Sequence, residues 1–333
     1  LTVNCISSIM VSIPPPTILI VGATGNTGQA VTTTLPSLLK ASSTLAHYRV
    51  LGLTRSLDTP TAQHLSSLPG VVMQEKAWTD ITAPWLQANR VVRAFIASHN
   101  GPNQFAHEST FLTAALEAGV QYVVRISTTA ANVRPNNPAY YARTHWAIEQ
   151  LLDSAEFKNL SWTSLQPNVF SSMYLASSAD FIKSHRATGE QGLLRLMADK
   201  DAPVGIIDAG DVGMVAAALL ALDDEHLAVH NRKKYVLNGP EDITGQEIVD
   251  MVEGYIGTQV KDVSYRDLSF IDAWYESMFA QSGESRNVIF SVKRAPETAW
   301  DGLCTASTSS EEVVQLAAPK RTPAEVLKEL IGE

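Results

Sequence analysis

"ILIVGATGNTGQAV", residues 18–31, runs four apolar residues straight into glycines at positions 22, 25 and 28. The apolar run reads as a buried strand, and the glycines read as a tight turn just before a helix. Gly22 permits the strand to turn, Gly25 lets backbone approach a phosphate, and Gly28 lets the next helix pack close to the sheet. Free amides and the helix dipole then favour an anionic pyrophosphate there. A glycine triplet alone is a weak sign. Its place after the first strand and before the first helix of a βαβ unit makes it a specific one.

Outward from this loop, "TILIV" (17–21), "YRVLGLT" (48–54), "VVMQE" (71–75), "VVRAFIA" (91–97), "YVVRIS" (122–127) and "SWTSLQP" (161–167) read as strands. "HESTFLTAALEAG" and "ARTHWAIEQLLDSA" between them carry apolar residues at helical spacing. Alternating strands and helices, with near-continuous apolar strands, predict an α/β fold: a Rossmann-type, doubly wound parallel sheet covered on both faces. Ligands of such sheets lie beyond the carboxyl ends of the strands.

The second half changes character. "DAGDVGMVAAALLAL" (208–222) is a small-residue helix, "KYVLNG" a strand, and "TGQEIVDMVEGYIG" a helix opened by a Thr244/Glu247 capping box. Thr322 and Glu325 open the last helix in the same way. Residues 17–165 are expected to form the dinucleotide-binding domain. Residues 166–333 complete the sheet and build a smaller, mainly helical substrate lobe. Residues 1–16 are expected to be a disordered or non-native leader, with the native start at Met10.

Hydrophobic residues make up 45% of the chain and charged residues 18%, which is globular composition. A net charge of −9 without a basic run argues against nucleic acid as a partner. No apolar run reaches membrane-spanning length. Two cysteines make no disulfide framework, and a cytoplasmic protein is expected. No metal is expected, and a homodimer is left open.

The end of the second strand chooses between cofactors. An acid there binds ribose hydroxyls, whereas an arginine suits a 2′-phosphate. "LGLTRS" puts Arg55 and Ser56 at that point, so NADP(H) is expected rather than NAD(H).

With these motifs in view the chain resembles the NmrA-like family of atypical short-chain dehydrogenase/reductases. The resemblance rests on "ILIVGATGNTG", "LGLTRS", "TAALEAGVQYVVRIS", "YARTHWAIEQLLD", "WTSLQPNVF" and "DAGDVGMVAAALLAL", in family order. It implies a Rossmann domain with a small substrate lobe, and one of two tasks. Some members are NADPH-dependent reductases of phenolic or other secondary metabolites; others bind the dinucleotide without turnover and regulate a protein partner. The resemblance implies pyrophosphate contacts from Gly22, Thr24, Gly25, Asn26, Thr27 and Gly28, and a 2′-phosphate clamp at Arg55. It places the cofactor ribose at Ala97 and Ser98, and the catalytic serine strand end at Ser127 and Thr128. Tyr141 and His145 match the tyrosine–lysine pair, and Pro167, Asn168, Val169 and Phe170 the loop that closes on the nicotinamide.

Three positions depart from the family: His145 for the lysine, Gln166 for an arginine, and Ala77 for the acid near adenine, with Asp80 three residues on. Tyr141 and His145, four apart on a helix, share one face. Tyr141 or His145 would move a proton, and Ser127 would polarise a carbonyl as a hydrogen-bond donor. Thr128, Phe170, Met173, Tyr174 and Trp274 are candidate substrate-pocket residues, and His99 a minor acid or base. Each also reads as an ordinary structural residue: a packed tyrosine, a satisfied histidine, a strand-end hydroxyl, a core aromatic. The expected function is NADPH-dependent reduction of a small aromatic or polyketide-like molecule. A non-catalytic NADP(H) sensor and a non-redox dehydratase, isomerase or cyclase remain as alternatives.

Overall fold

The computed structural model describes residues 14–333. Its strands are β1 Thr17–Val21, β2 Arg49–Thr54, β3 Val71–Glu75, β4 Val91–Ile96, β5 Tyr122–Ile126, β6 Ser161–Pro167, β7 Leu194–Arg195, β8 Lys233–Leu237 and β9 Val263–Ser264. Seven of them form one parallel sheet in the order β3-β2-β1-β4-β5-β6-β8, and β7 pairs with β9 apart from it. The order reverses at β1, which lies between β2 and β4. That reversal opens a crevice at the carboxyl ends of β1 and β4.

Side chains alternate between the two faces of the sheet. Ile18, Ile20, Phe95 and Val124 point to one core, with Val31 and Leu35 of the helix Asn26–Ala41 and Val212 and Val215 of the helix Ala209–Leu220. Leu19, Val21, Ala94 and Ile96 point to the other, with Phe111 of Gln104–Ala118 and Ile148 of Tyr140–Asp153. A third core joins Tyr174, Ile182, Leu194, Ile206, Ile248 and Leu327 in the C-terminal half. Fully burying a side chain of this size stabilises by about 1.5–3 kcal/mol, which makes both sheet faces essential.

The small-residue helix has a specific use. A Cβ added at Gly213 would lie 2.5 Å from the Thr27 carbonyl oxygen and 2.6 Å from the Ala30 Cβ. The helix Ala209–Leu220 therefore lies backbone against backbone on the helix that follows the glycine loop. Both capping boxes form, at Thr244/Glu247 and at Thr322/Glu325.

The expected leader lies mostly outside the described residues. Its last residues are tied to the sheet: the Pro14 carbonyl accepts from Arg90 Nη1 at 2.8 Å and the Pro16 carbonyl from the Arg49 amide at 3.0 Å.

Candidate functional site

The glycine loop closes on itself. Gly22 has φ +81°, and a Cβ there would meet the Ala97 carbonyl oxygen at 3.0 Å, where β1 and β4 part. A Cβ on Gly28 would lie 1.9 Å from the Gly22 carbonyl oxygen, and one on Gly25 3.2 Å from it. The helix starts at Asn26, with Gly25 as an N-cap that offers no side-chain bond. Among the described residues no acceptor meets the amides of Asn26, Thr27 or Gly28. Gly25 and Asn26 are exposed, Thr24 partly so, and Thr27 buried. Such a bare helix start is a ready anion site.

Arg55 is exposed one residue past β2 and makes no hydrogen bond or ion pair among the described residues. The Ser56 hydroxyl accepts from the Asp58 amide at 3.2 Å. Strand pairing brings in an acid that the local sequence hides: Glu75, opposite Thr54, accepts from the Leu57 amide at 3.3 Å. Ala97 and Ser98 follow β4, and the Ser98 hydroxyl donates to Glu108 Oε2 at 2.7 Å.

Beneath the carboxyl ends of β4, β5 and β6 lies a buried polar cluster around Arg125. Its Nε donates to Glu108 Oε1 at 2.6 Å and its Nη1 to the Ser164 hydroxyl at 3.0 Å. Its Nη2 donates to His145 Nδ1 at 2.9 Å. An arginine has no lone pair to offer, so His145 must carry its proton on Nε2, which lies 3.1 Å from Asn100 Oδ1. Burial first, and the Arg125 charge second, hold the His145 pKa well below 6.5. A neutral, 1%-exposed imidazole thus stands where the resemblance implies a cation. The geometry fits a residue that pins the loop after β4 better than one that titrates on substrate.

The sign of the linkage follows. Below its ordinary pKa of 6.5 the unfolded histidine binds a proton that the folded one refuses, so stability is present above that pH and falls on acidification. His145→Gln should remove part of the loss of urea stability between about pH 6.5 and 5. An unchanged decline in the variant would show that His145 is not held neutral.

Ser127 also departs from its expected role. Its hydroxyl donates to Glu149 Oε1 at 2.8 Å, and a carboxylate only accepts. The serine proton is therefore committed inward and cannot polarise a substrate carbonyl in this arrangement. Tyr141 differs. Its phenol oxygen accepts from the Thr128 hydroxyl at 3.4 Å, with Asn132 as a second neighbour, and among the described residues no acceptor is found for its own proton. Burial, the largest cause, raises its pKa above the usual 10.0. Its ring stands 6.1 Å from that of His145, edge to face. The adjacent Tyr140 donates to the Asn100 carbonyl and is held up at about 12 by burial.

In the closing loop, Pro167 is buried and ends β6. The Asn168 amide donates to Asn238 Oδ1 and the Cys304 carbonyl, both at 2.9 Å, and so joins β6, β8 and the C-terminal half. Val169 and Phe170 pair with the Ile207 segment. Of the pocket candidates, Thr128 lies beside Tyr141, Tyr174 is buried in the third core with an unpartnered hydroxyl, and Met173 is 47% exposed. Trp274 is 56% exposed and it is its neighbour Tyr275 that turns inward. His99 is exposed and shares a 3.0 Å hydrogen bond with His107. Glu108, Arg125 and Glu149 were not among the expected site residues. A charge inside the apolar run "YVVRIS" is the signal that marks such a cluster.

Comparison with known proteins follows the same outline. No curated protein matches the chain. An NADPH-dependent quinone oxidoreductase from Escherichia coli, solved with NADPH, is 22% identical over 95% of this chain and 100% of its own, with a TM-score of 0.68. Triphenylmethane reductase from Citrobacter sp., solved with NADP(H), is 19% identical over 94% and 99%, with a TM-score of 0.63. NmrA, a negative transcriptional regulator solved with NADP, is 15% identical over 96% of both chains, with a TM-score of 0.65. At these identities the likeness is one of fold. The NmrA-like family profile matches residues 15–274, a span that holds the glycine loop, Arg55, Ser127 and Tyr141, and the chain belongs to that family.

Proposed function

We propose that the protein binds NADP(H) and reduces a small aromatic or polyketide-like carbonyl compound, with Tyr141 as the proton donor. The observation that carries this reading is the Tyr141 phenol, whose oxygen is held by Thr128 and whose proton meets no acceptor among the described residues. The bound nicotinamide would supply the hydride. Hydride added at carbon leaves its electron pair on the carbonyl oxygen, and Tyr141 passes its proton to that oxygen. The phenolate then regains a proton from water. With its pKa raised, Tyr141 stays protonated at neutral pH and serves as an acid, not a base.

Support for the cofactor comes from the glycine cradle, the three unmet amides and the unpartnered Arg55. Three fold neighbours were solved with NADPH or NADP. An arginine bonded to phosphate contributes about 1.5–3 kcal/mol, so Arg55→Ala should weaken NADPH by about ten- to a hundredfold and leave NADH nearly alone. Glu75, at the end of β3 and bonded to the Leu57 amide of that loop, puts the expected loss near the lower figure. Equal losses for both dinucleotides in calorimetry would remove the assignment.

A second reading, a redox-silent NADP(H) sensor with a protein partner, draws on the neutral His145 at the lysine position. NADPH oxidation followed across a broad panel of carbonyls, quinones and enones separates the two. No oxidation with any of them would favour the sensor.

A further inference from the structure

Glu149 is 1% exposed, and its carboxylate is met by several donors. Its Oε1 accepts from Ser127 at 2.8 Å and from Ser164 at 2.7 Å, and Gln166 Nε2 lies 3.1 Å and 3.2 Å from its two oxygens. Arg125 Nη1 stands 3.6 Å away, and Lys234 Nζ 3.9 Å away. Ser164 is itself filled, since it receives Arg125 and gives to Glu149. Ser127 is not: among the described residues no donor reaches its oxygen. It sits one residue past β5, at the ligand-binding edge of the sheet, beside the Thr128 that holds Tyr141. A hydroxyl whose proton is drawn to a carboxylate is the better acceptor for it.

We propose that Glu149 is a positioning residue that fixes Ser127 as a hydrogen-bond acceptor, so that the site takes a carbonyl compound bearing a hydroxyl group. The carbonyl oxygen meets the proton of Tyr141, and the hydroxyl donates to Ser127. A substrate whose hydroxyl is replaced by a methyl ether has nothing to give to Ser127 and leaves that oxygen buried and unmet. The inference rests on the reductase reading for its site but makes a separate claim, about which ligand oxygen is a donor.

The test uses meta- and para-hydroxyacetophenone, their O-methyl ethers and acetophenone, bound to the full chain preloaded with NADP+, where no turnover occurs. Calorimetry should show at least one hydroxy ketone bound about tenfold more tightly than its ether, the scale of one hydrogen bond. Ser127→Ala should bring that ratio to about one and leave the ethers unchanged. Glu149→Gln, whose amide can donate, should also collapse the ratio, whereas a merely structural Glu149 would lower stability and leave it intact. Absence of a hydroxyl preference in the unmodified protein, or its survival in Ser127→Ala, would overturn the proposal. Turnover with NADPH is then measured on the same compounds. A hydroxyl preference in binding with no NADPH oxidation supports the acceptor role and sinks the reductase reading. Oxidation without the preference does the reverse.

Discussion

Tyr141→Phe should cut NADPH-dependent turnover by about a hundredfold or more while NADPH affinity stays within about twofold. The substitution removes one oxygen from a phenol that touches Thr128 and leaves the ring against His145. Packing is kept, so the loss reports the phenol hydroxyl, its proton and its bond from Thr128. Because burial raises the tyrosine pKa above 10.0, the unmodified protein should show no loss of tyrosine acid between about pH 6 and 9. A histidine limb near pH 6 is not expected from His145 either, since burial and Arg125 keep it neutral there. Turnover of the phenylalanine variant within a few-fold of the parent would remove Tyr141 from the chemistry.

Gly25→Val should abolish measurable NADPH binding, a loss of about a hundredfold or more, with the far-ultraviolet circular dichroism of the parent. Gly25 is exposed at the helix start and its Cβ would fall 3.2 Å from the Gly22 carbonyl oxygen, a contact the loop can relieve by a small shift. The branched side chain then occupies the space above the free amides of Asn26, Thr27 and Gly28. Gly28 is the wrong position for this experiment. Its Cβ would lie 1.9 Å from backbone oxygen, so a valine there disturbs the turn itself and confuses folding with binding. Tight binding by the Gly25 variant would place the dinucleotide elsewhere.

Signals carried by neighbouring residues in the chain are legible in the sequence itself. The strands 17–21, 71–75 and 161–167 form with the expected ends, because each is a short apolar run between turn residues. Both capping boxes form for the same reason. Contacts made across strands were not readable in this way. Glu75 approaches the loop of Arg55 only because Thr54 and Glu75 are paired in register. His145 reads as a free acid or base until Arg125, on another element, fixes its tautomer. Trp274 and Tyr275 show a different limit. The helix Asp272–Ser282 mixes polar and apolar residues around its whole circumference, so no stripe tells which of two adjacent aromatics faces inward. Arg93 and Arg125 did carry a visible signal. A charge within a strand covered on both faces must find partners: Arg125 meets the buried Glu108, while Arg93 donates to the Leu220 and Leu222 carbonyls and reaches the exposed Asp224.

The backbone contact between Gly213 and Thr27 sets the order in which the chain can mature during synthesis. The phosphate-loop helix is made early, yet the helix that covers its inner flank arrives about two hundred residues later, and β8 closes the sheet after that. At about 5–20 residues per second, the nascent loop waits ten seconds or more with one face uncovered. During that interval Ile18, Ile20 and Phe95 on that face have Val31 and Leu35 of the first helix for cover but lack Val212 and Val215. The glycine loop is therefore complete in sequence long before the helix that braces it exists.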